Sequence, residues 1–198
     1  MHSYKTIQKP SEGLYKEKGS KFLAFAYPAE NESEIKERIT ALQKKYFDAR
    51  HHCYAWMLGV EKKFRAYDDG EPNHSAGDPI LGQIRSKDLT NVLIVVVRYF
   101  GGVKLGVGGL VAAYKAAAED ALKNAAIVEK DVFETMTIKY PYTSTPEVMR
   151  FVKEYDAVIQ EQTYGESCSL TLTFRSRDRD SVIKKAELLR AMNLIAFS

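Results

Sequence analysis

The chain has 198 residues, 45% of them apolar and 28% charged, with a formal net charge of +3. This is an ordinary globular composition, long enough to bury a core without disulfide staples, and its mild basicity does not by itself argue for a nucleic-acid partner. The two cysteines, Cys53 and Cys168, lie far apart with no disulfide framework, as expected of free thiols in a reducing compartment. No stretch approaches the roughly 20 apolar residues of a membrane span. MHSYKTIQKPSEGLYKEKGS lacks the apolar centre of a signal peptide. A cytoplasmic location with no membrane partner is expected.

In chain order, Tyr4 to Lys9 alternates weakly, as an edge strand would. Glu12 to Ser20 is polar and holds two glycines, which predicts a loop or hairpin. Lys21 to Tyr27 (KFLAFAY) is aromatic and apolar and is stopped by Pro28, so a strand is expected. Asn31 and Glu34 stand at capping-box spacing. Ile35, Ile39, Leu42 and Tyr46 follow at helical intervals, with Lys36, Glu37, Arg38, Lys44 and Lys45 in water: an amphipathic helix. His52 to Leu58 (HCYAWML) reads as a strand, and Gly59 to Ala66 is polar. YDDGEPNHSAGDPI then brings turn dipeptides. Asp78 before Pro79 predicts an N-cap with proline at the first helical position, and Ile80, Leu81 and Ile84 give that helix an apolar side.

Asn91 to Ala118 is the most informative stretch. Val92 to Val97 is an apolar, β-branched run too short for most helices, which predicts a strand buried on both faces. FGGVKLGVGG follows; five of the chain's 12 glycines lie between Gly101 and Gly109. From Leu110 the composition turns Ala-rich, with Leu110, Val111, Tyr114 and Leu122 at roughly helical spacing. A strand, a glycine loop and a helix in that order suit an anion. Glycine permits positive φ and close backbone approach, and a helix start leaves about four N–H groups unpartnered and carries partial positive charge. Arg98 and Lys104 add full charges. Neither nucleotide fingerprint fits: Val107 stands where GxxxxGK[ST] requires Lys, and Val111 where GxGxxG requires its third glycine. A tight turn with a close helix–sheet contact and no ligand would use the same residues.

The character changes between Ala126 and Val132. Beyond it, Phe133 to Tyr140 predicts a strand, Pro141 a turn, and Ser144 or Thr145 with Pro146 and Glu147 the start of a helix carrying Val148, Phe151 and Val152. Strands are expected at Ala157 to Tyr164 and at Ser169 to Phe174, with a hairpin at Gly165. RSRDRD, Arg175 to Asp180, reads as a solvated loop. A helix from Asp180 or Ser181 carries Val182, Ile183, Ala186, Leu189 and Met192, and Leu194 to Phe197 is the last strand. The order βαββαβ is the ferredoxin-like pattern, at a length usual for a small domain. The expected protein is α+β with two domains, residues 1–130 and 131–198.

Three other clusters carry possible chemistry. Arg50-His51-His52-Cys53 precedes a strand, where adjacent side chains point to opposite faces and rarely share one ion; no CxxC or HxxxH accompanies them. No metal and no cofactor is expected. One histidine is expected to be buried and satisfied, while Arg50 or the other histidine lines a cleft; His52 is also a candidate for acid–base work. Asp68, Asp69 and Glu71 are either a Mg²⁺ or base site facing a phosphate on the glycine loop, or turn residues whose carboxylates bond backbone amides. Tyr67, Tyr99 and Phe100 can stack on bases or pack at the rim of the core.

ARHHCYAW (Ala49 to Trp56), DDGEP (Asp68 to Pro72) and VVVRYFGGVKLGVGGLVAAY (Val95 to Tyr114) together resemble the YigZ/IMPACT family. The matches are long, gapless and in the family's order, and they lie in the N-terminal half. The resemblance implies an N-terminal domain of the ribosomal protein S5 domain 2-like type and a C-terminal domain similar to one found in translational elongation factors. It also implies a link to translation. Eukaryotic relatives dampen a stress kinase that shuts down initiation, and nucleic-acid binding is the usual proposal for bacterial members. One departure stands out. The family usually continues DDGEP with a Gly-Thr-Ala-Gly-type run, whereas here Asn73-His74-Ser75-Ala76-Gly77 follows. Ser75 keeps a hydroxyl but His74 replaces a glycine, which puts the shape of that loop in question.

Two functions are therefore expected to compete. The first is a non-catalytic protein that binds RNA, the ribosome or a translation regulator, gripping phosphates with Arg50, Arg98, Gly101, Gly102, Lys104, Gly106, Gly108 and Gly109. The second is an enzyme acting on a phosphorylated small molecule, with Asp68 or Asp69 on Mg²⁺ and His52 moving protons. The second requires Asp68, His52 and Gly108 to meet in one pocket.

Overall fold

The computed structural model describes residues 2–165 and 167–197. It begins with a short strand, β1 (Ser3–Ile7). A hairpin follows, of β2 (Ser11–Glu17) and β3 (Ser20–Pro28), turned through Lys18 and Gly19 at positive φ. The sequence leaves Glu12 to Ser20 open between a loop and a hairpin; the hairpin forms. Tertiary contact makes β2 a strand: the Ser11 hydroxyl donates to Ala121 O and Leu14 N–H to Asp120 Oδ2.

Helix α1 (Glu32–Lys45) opens as its capping box predicts, with Asn31 Oδ1 accepting from Glu34 N–H at 3.0 Å. Strands β4 (His51–Leu58) and β5 (Lys63–Tyr67) come next, followed by α2 (Gly77–Ser86), β6 (Val92–Tyr99), α3 (Gly106–Lys123) and β7 (Ile127–Asp131). Asp78 is not the N-cap of α2. The helix starts at Gly77, two residues before the expected Pro79, and Asp68 supplies the cap from outside, its Oδ1 accepting from Ala76 N–H and Gly77 N–H. Helix α3 likewise starts four residues before Leu110, inside the glycine run.

Two compact units result, Tyr4–Lys130 and, with Met1–Ser3, Asp131–Ser198. In the first, β2-β3-β6-β4-β5 form one antiparallel sheet, and β1 pairs with β7 in a separate ribbon. β6 sits at the middle and is buried from Val92 to Arg98. Its alternate residues feed two cores. Val92, Ile94 and Val96 pack with Ala55, Ile84, Ala113 and Ala117 beneath α2 and α3. Leu93, Val95 and Val97 pack with Phe25, Trp56, Ile35 and Leu42 beneath α1. A run of alanines on α3 lets that helix lie close to the sheet. Val111, expected in its buried stripe, is instead 36% exposed.

In the second unit, β8 (Phe133–Tyr140), α4 (Thr145–Glu154), β9 (Val158–Thr163), β10 (Cys168–Arg175), α5 (Arg179–Ala191) and β11 (Ala196–Phe197) follow in order. Its antiparallel sheet runs β11-β8-β10-β9. Met136, Ile138, Leu170 and Leu172 pack against Val148, Phe151, Val182 and Ala186 of the helices. Met192 falls past the end of α5 and is exposed, not part of that stripe. Among the described residues no helix is long and apolar enough to cross a membrane.

Candidate functional site

A cavity of about 420 Å³ opens where three pieces of the first unit meet: the start of β4, the loop before α2, and the segment from the end of β6 into α3. Arg50 and His51 come from the first, Glu71 and Pro72 from the second, and Arg98, Phe100, Lys104 and Gly106 from the third. Leu105, Val107 and Leu110 add apolar wall.

The floor is a buried polar chain. Arg98 Nη1 donates to Glu71 Oε1 at 2.6 Å, and the Tyr114 hydroxyl donates to the same oxygen at 2.7 Å. The Cys53 thiol lies 3.3 Å from the Tyr114 oxygen and 2.9 Å from the Asp68 carbonyl. Burial pushes the Cys53 thiol far above its ordinary range, the bond to Tyr114 opposing this only in part. Burial does the same to the Tyr114 hydroxyl, with Cys53 and Glu71 adding to it. Both stay protonated, so Glu71 is the acceptor that ends the chain. The Arg98 guanidinium lies over the rings of Phe22 and Phe100, at 5.5 and 5.7 Å, and its Nε is buried without a partner among the described residues.

Strand alternation separates the two histidines. His52 is buried, its Nε2 3.1 Å from the Tyr46 carbonyl, and it stands outside the cavity. His51 lines the cavity with its Nδ1 2.8 Å from the Asp69 carbonyl. A carbonyl only accepts, so the neutral ring carries its proton on Nδ1 and leaves Nε2 as an acceptor. That Nε2 lies 4.0 Å from Glu71 Oε1.

The acidic cluster divides in the same way. Asp68 lies outside the cavity and caps the loop: beyond the two α2 amides, its Oδ2 accepts from His74 N–H at 2.8 Å. His74 sits at φ 64, the left-handed region a glycine would enter freely, and its ring meets Asp78 Oδ2 at 2.7 Å. The loop thus keeps a glycine-like backbone at a non-glycine residue. Asp69 Oδ2 accepts from His52 N–H at 2.7 Å, and Asp69 is not among the lining residues. Asp68, His52 and Gly108 therefore do not meet in one pocket.

Of the glycine run only Gly106 lines the cavity; Gly101, Gly102, Gly108 and Gly109 lie outside its lining. Gly101 is needed for close approach: its N–H donates to Ser20 Oγ, and a Cβ there would lie 1.9 Å from the Gly19 carbonyl carbon. Gly106 takes φ 72 as the chain enters α3. No side chain caps that helix and no acidic residue stands in its first turn. Gly102, Gly106 and Gly108 are exposed with open space where a Cβ would be, and Gly109 is half-buried against Leu105. Arg50 and Lys104 are exposed beside them. Because Glu71 offsets Arg98, the net positive character comes from Arg50, Lys104 and the helix end.

Tyr114 is the residue that sequence patterns did not single out for this place; Glu71 was one of three acidic candidates and His51 one of two histidines, with nothing local to say which of each set reaches the cavity. The available signal for Tyr114 is that a tyrosine on the buried face of an Ala-rich helix needs a partner for its hydroxyl.

Residues 18–122 match the family described as Impact N-terminal domain. The chain is 32% identical over 168 residues to IMPACT family member YvyE of Bacillus subtilis (strain 168), which covers 84% of this chain and 77% of YvyE. It is 31% identical over 150 residues to IMPACT family member YigZ of Escherichia coli (strain K12), 74% of each chain. A crystal structure described only as that of a hypothetical protein superposes with a TM-score of 0.79 at 26% identity, covering 100% of this chain and 97% of that one.

Proposed function

The chain belongs to the IMPACT family, and from that premise we propose that it is a translation-associated binding protein that holds phosphate groups of RNA at the cavity beside α3. The link to translation and RNA is what the family resemblance implies. The observation that carries the binding mode is the uncapped start of α3, whose exposed glycine amides stand beside Arg50 and Lys104. Gly106, Gly108 and Gly109 present amides, Gly101 and Gly102 shape the approach, and Arg98, held by Glu71, orders the wall.

The same reading takes the first unit as S5 domain 2-like and the second as ferredoxin-like. The order β11-β8-β10-β9 on a βαββαβ chain supports the latter. Residues 1–130 and 131–198 are the corresponding domains, and the protein acts in the cytoplasm. The test is binding of tRNA, rRNA and ribosomes as salt is raised from about 50 to 200 mM: affinity should fall steeply, as counterion release requires. Absent or salt-insensitive binding overturns the proposal.

One observation favours a second reading, an enzyme on a phosphorylated small molecule: the cavity's volume falls within the roughly 300–1,000 Å³ typical of small-molecule sites. Acid–base work there would fall to His51 and Glu71, since Asp68, Asp69 and His52 are tied elsewhere. Turnover of a phosphorylated compound that is abolished by His51→Ala, with folding intact, would establish it.

A further inference from the structure

Beside the amides and cations that suit an anion, the cavity holds two hydrogen-bond acceptors, the Glu71 carboxylate and the neutral His51 ring. Glu71 is 8% exposed and lines the cavity. Its Oε1 already accepts from Arg98 and Tyr114, while its Oε2 accepts from no described residue. His51, fixed by the Asp69 carbonyl, adds Nε2, an acceptor when the ring is neutral, 4.0 Å from Glu71 Oε1. A fully ionised oxyanion brings only acceptors and meets both of these unfavourably. A ligand that combines negative charge with an O–H satisfies every group at once: its charged oxygens take the α3 amides and Lys104, and its hydroxyl donates to Glu71 or His51.

We propose that this site selects the protonated phosphate monoester, a terminal phosphate, over sulfate and over the internal phosphodiesters of a nucleic-acid backbone. A monoester has a second pKa of about 6 and keeps a proton for part of the time near neutrality. Sulfate and diesters have none to give. The inference rests on the anion-binding reading above and sharpens it: the phosphate recognised is an end, not a linkage. Phe100, 53% exposed at the cavity wall, offers a face for the base or ring that carries that phosphate.

The test is nitrogen–proton NMR of the full chain at about pH 6.5, where a monoester is partly protonated. The probes are inorganic phosphate and sulfate, followed by RNA oligonucleotides of one sequence with a 5′-phosphate or a 5′-hydroxyl. Phosphate is expected to shift the Gly106, Gly108 and Gly109 amides at least about tenfold more tightly than sulfate, as a charge-assisted hydrogen bond to a buried acceptor would give. The phosphorylated RNA should exceed the hydroxyl form by a similar factor. Glu71→Gln, which can donate from its amide, should bring the phosphate-to-sulfate ratio close to one. Should that variant not fold, the wild-type comparison decides. Equal affinity for phosphate and sulfate overturns the inference and leaves anion binding intact. Salt-dependent RNA binding without any phosphate-induced shift overturns it and leaves the RNA function standing. Phosphate selectivity with no RNA binding supports it and removes the RNA function.

Discussion

Arg98 Nη1 lies 2.6 Å from Glu71 Oε1 with both side chains less than one-tenth exposed. Removing one member strands the other's charge in the interior. Glu71→Ala and Arg98→Ala should each cost about 3–5 kcal/mol, read from urea unfolding, with Glu71→Gln milder because it keeps an acceptor for Tyr114. A loss under about 1 kcal/mol for the alanine variants, the size of an exposed pair, would show that water reaches this pair.

Two glycines of one run should respond in opposite ways. Gly101→Ala drives a Cβ into the Gly19 backbone at 1.9 Å and should cost several kcal/mol or prevent folding. Gly108→Ala points into open space within a helix, and should leave stability unchanged or raise it by up to about 1 kcal/mol. Thermal unfolding of the pair checks both signs.

Asp68 bonds three backbone amides, those of His74, Ala76 and Gly77. Asp68→Ala should lose about 2 kcal/mol or more, beyond a single helix cap, and amide exchange should quicken at those three positions. Exchange that stays slow would mean the loop is held by other contacts.

Burial keeps Cys53 and Tyr114 protonated in the folded protein, whereas unfolded they ionise near 9.0 and 10.0. Above those values the unfolded state binds fewer protons than the native one, so stability falls as pH rises. The contribution is complete below pH 9.0 and declines above it. Urea midpoints should therefore drop from about pH 9 upward, and Cys53→Ser should remove the first part of the decline. A native thiol that reacts quickly with a labelling reagent at about pH 8 would contradict the buried thiol invoked here.

Arg50 and Lys104 are exposed at the cavity mouth. Arg50→Ala and Lys104→Ala should each weaken RNA binding uniformly across sequences and lower the salt slope by about one, with stability altered by less than about 0.5 kcal/mol. A salt slope left at the wild-type value places the phosphates elsewhere.

Where local pattern and tertiary structure agreed, the sequence was readable. The Asn31 cap, the apolar run at Val92 to Val97 and the alternation of Leu170, Leu172 and Phe174 each specify their element and their buried face. What the sequence leaves open or misplaces shares one cause, partners distant in the chain. Glu12 to Ser20, readable as a loop or a hairpin, forms a hairpin arm because α3 lies against it. Asp68, not Asp78, caps α2, and no spacing rule spans the eight or nine residues from Asp68 to the amides of Ala76 and Gly77. In the site, strand period alone predicted that one of two adjacent histidines would be buried and the other would line a cleft. Which of Asp68, Asp69 and Glu71 reaches the cavity depended on how the turn folds back, with Asp69 at φ 42, and composition does not encode that.

The ribbon of β1 and β7 joins residues near the beginning of the first unit to residues at its end. On a ribosome, Ser3–Ile7 emerges long before its partner, roughly 6 to 24 seconds earlier at usual elongation rates. Until Ile127–Asp131 clears the exit tunnel that strand lacks its ladder and is held by its contacts to Leu89, Thr90 and Asn91, so this unit completes its structure only after the whole of it has been synthesised.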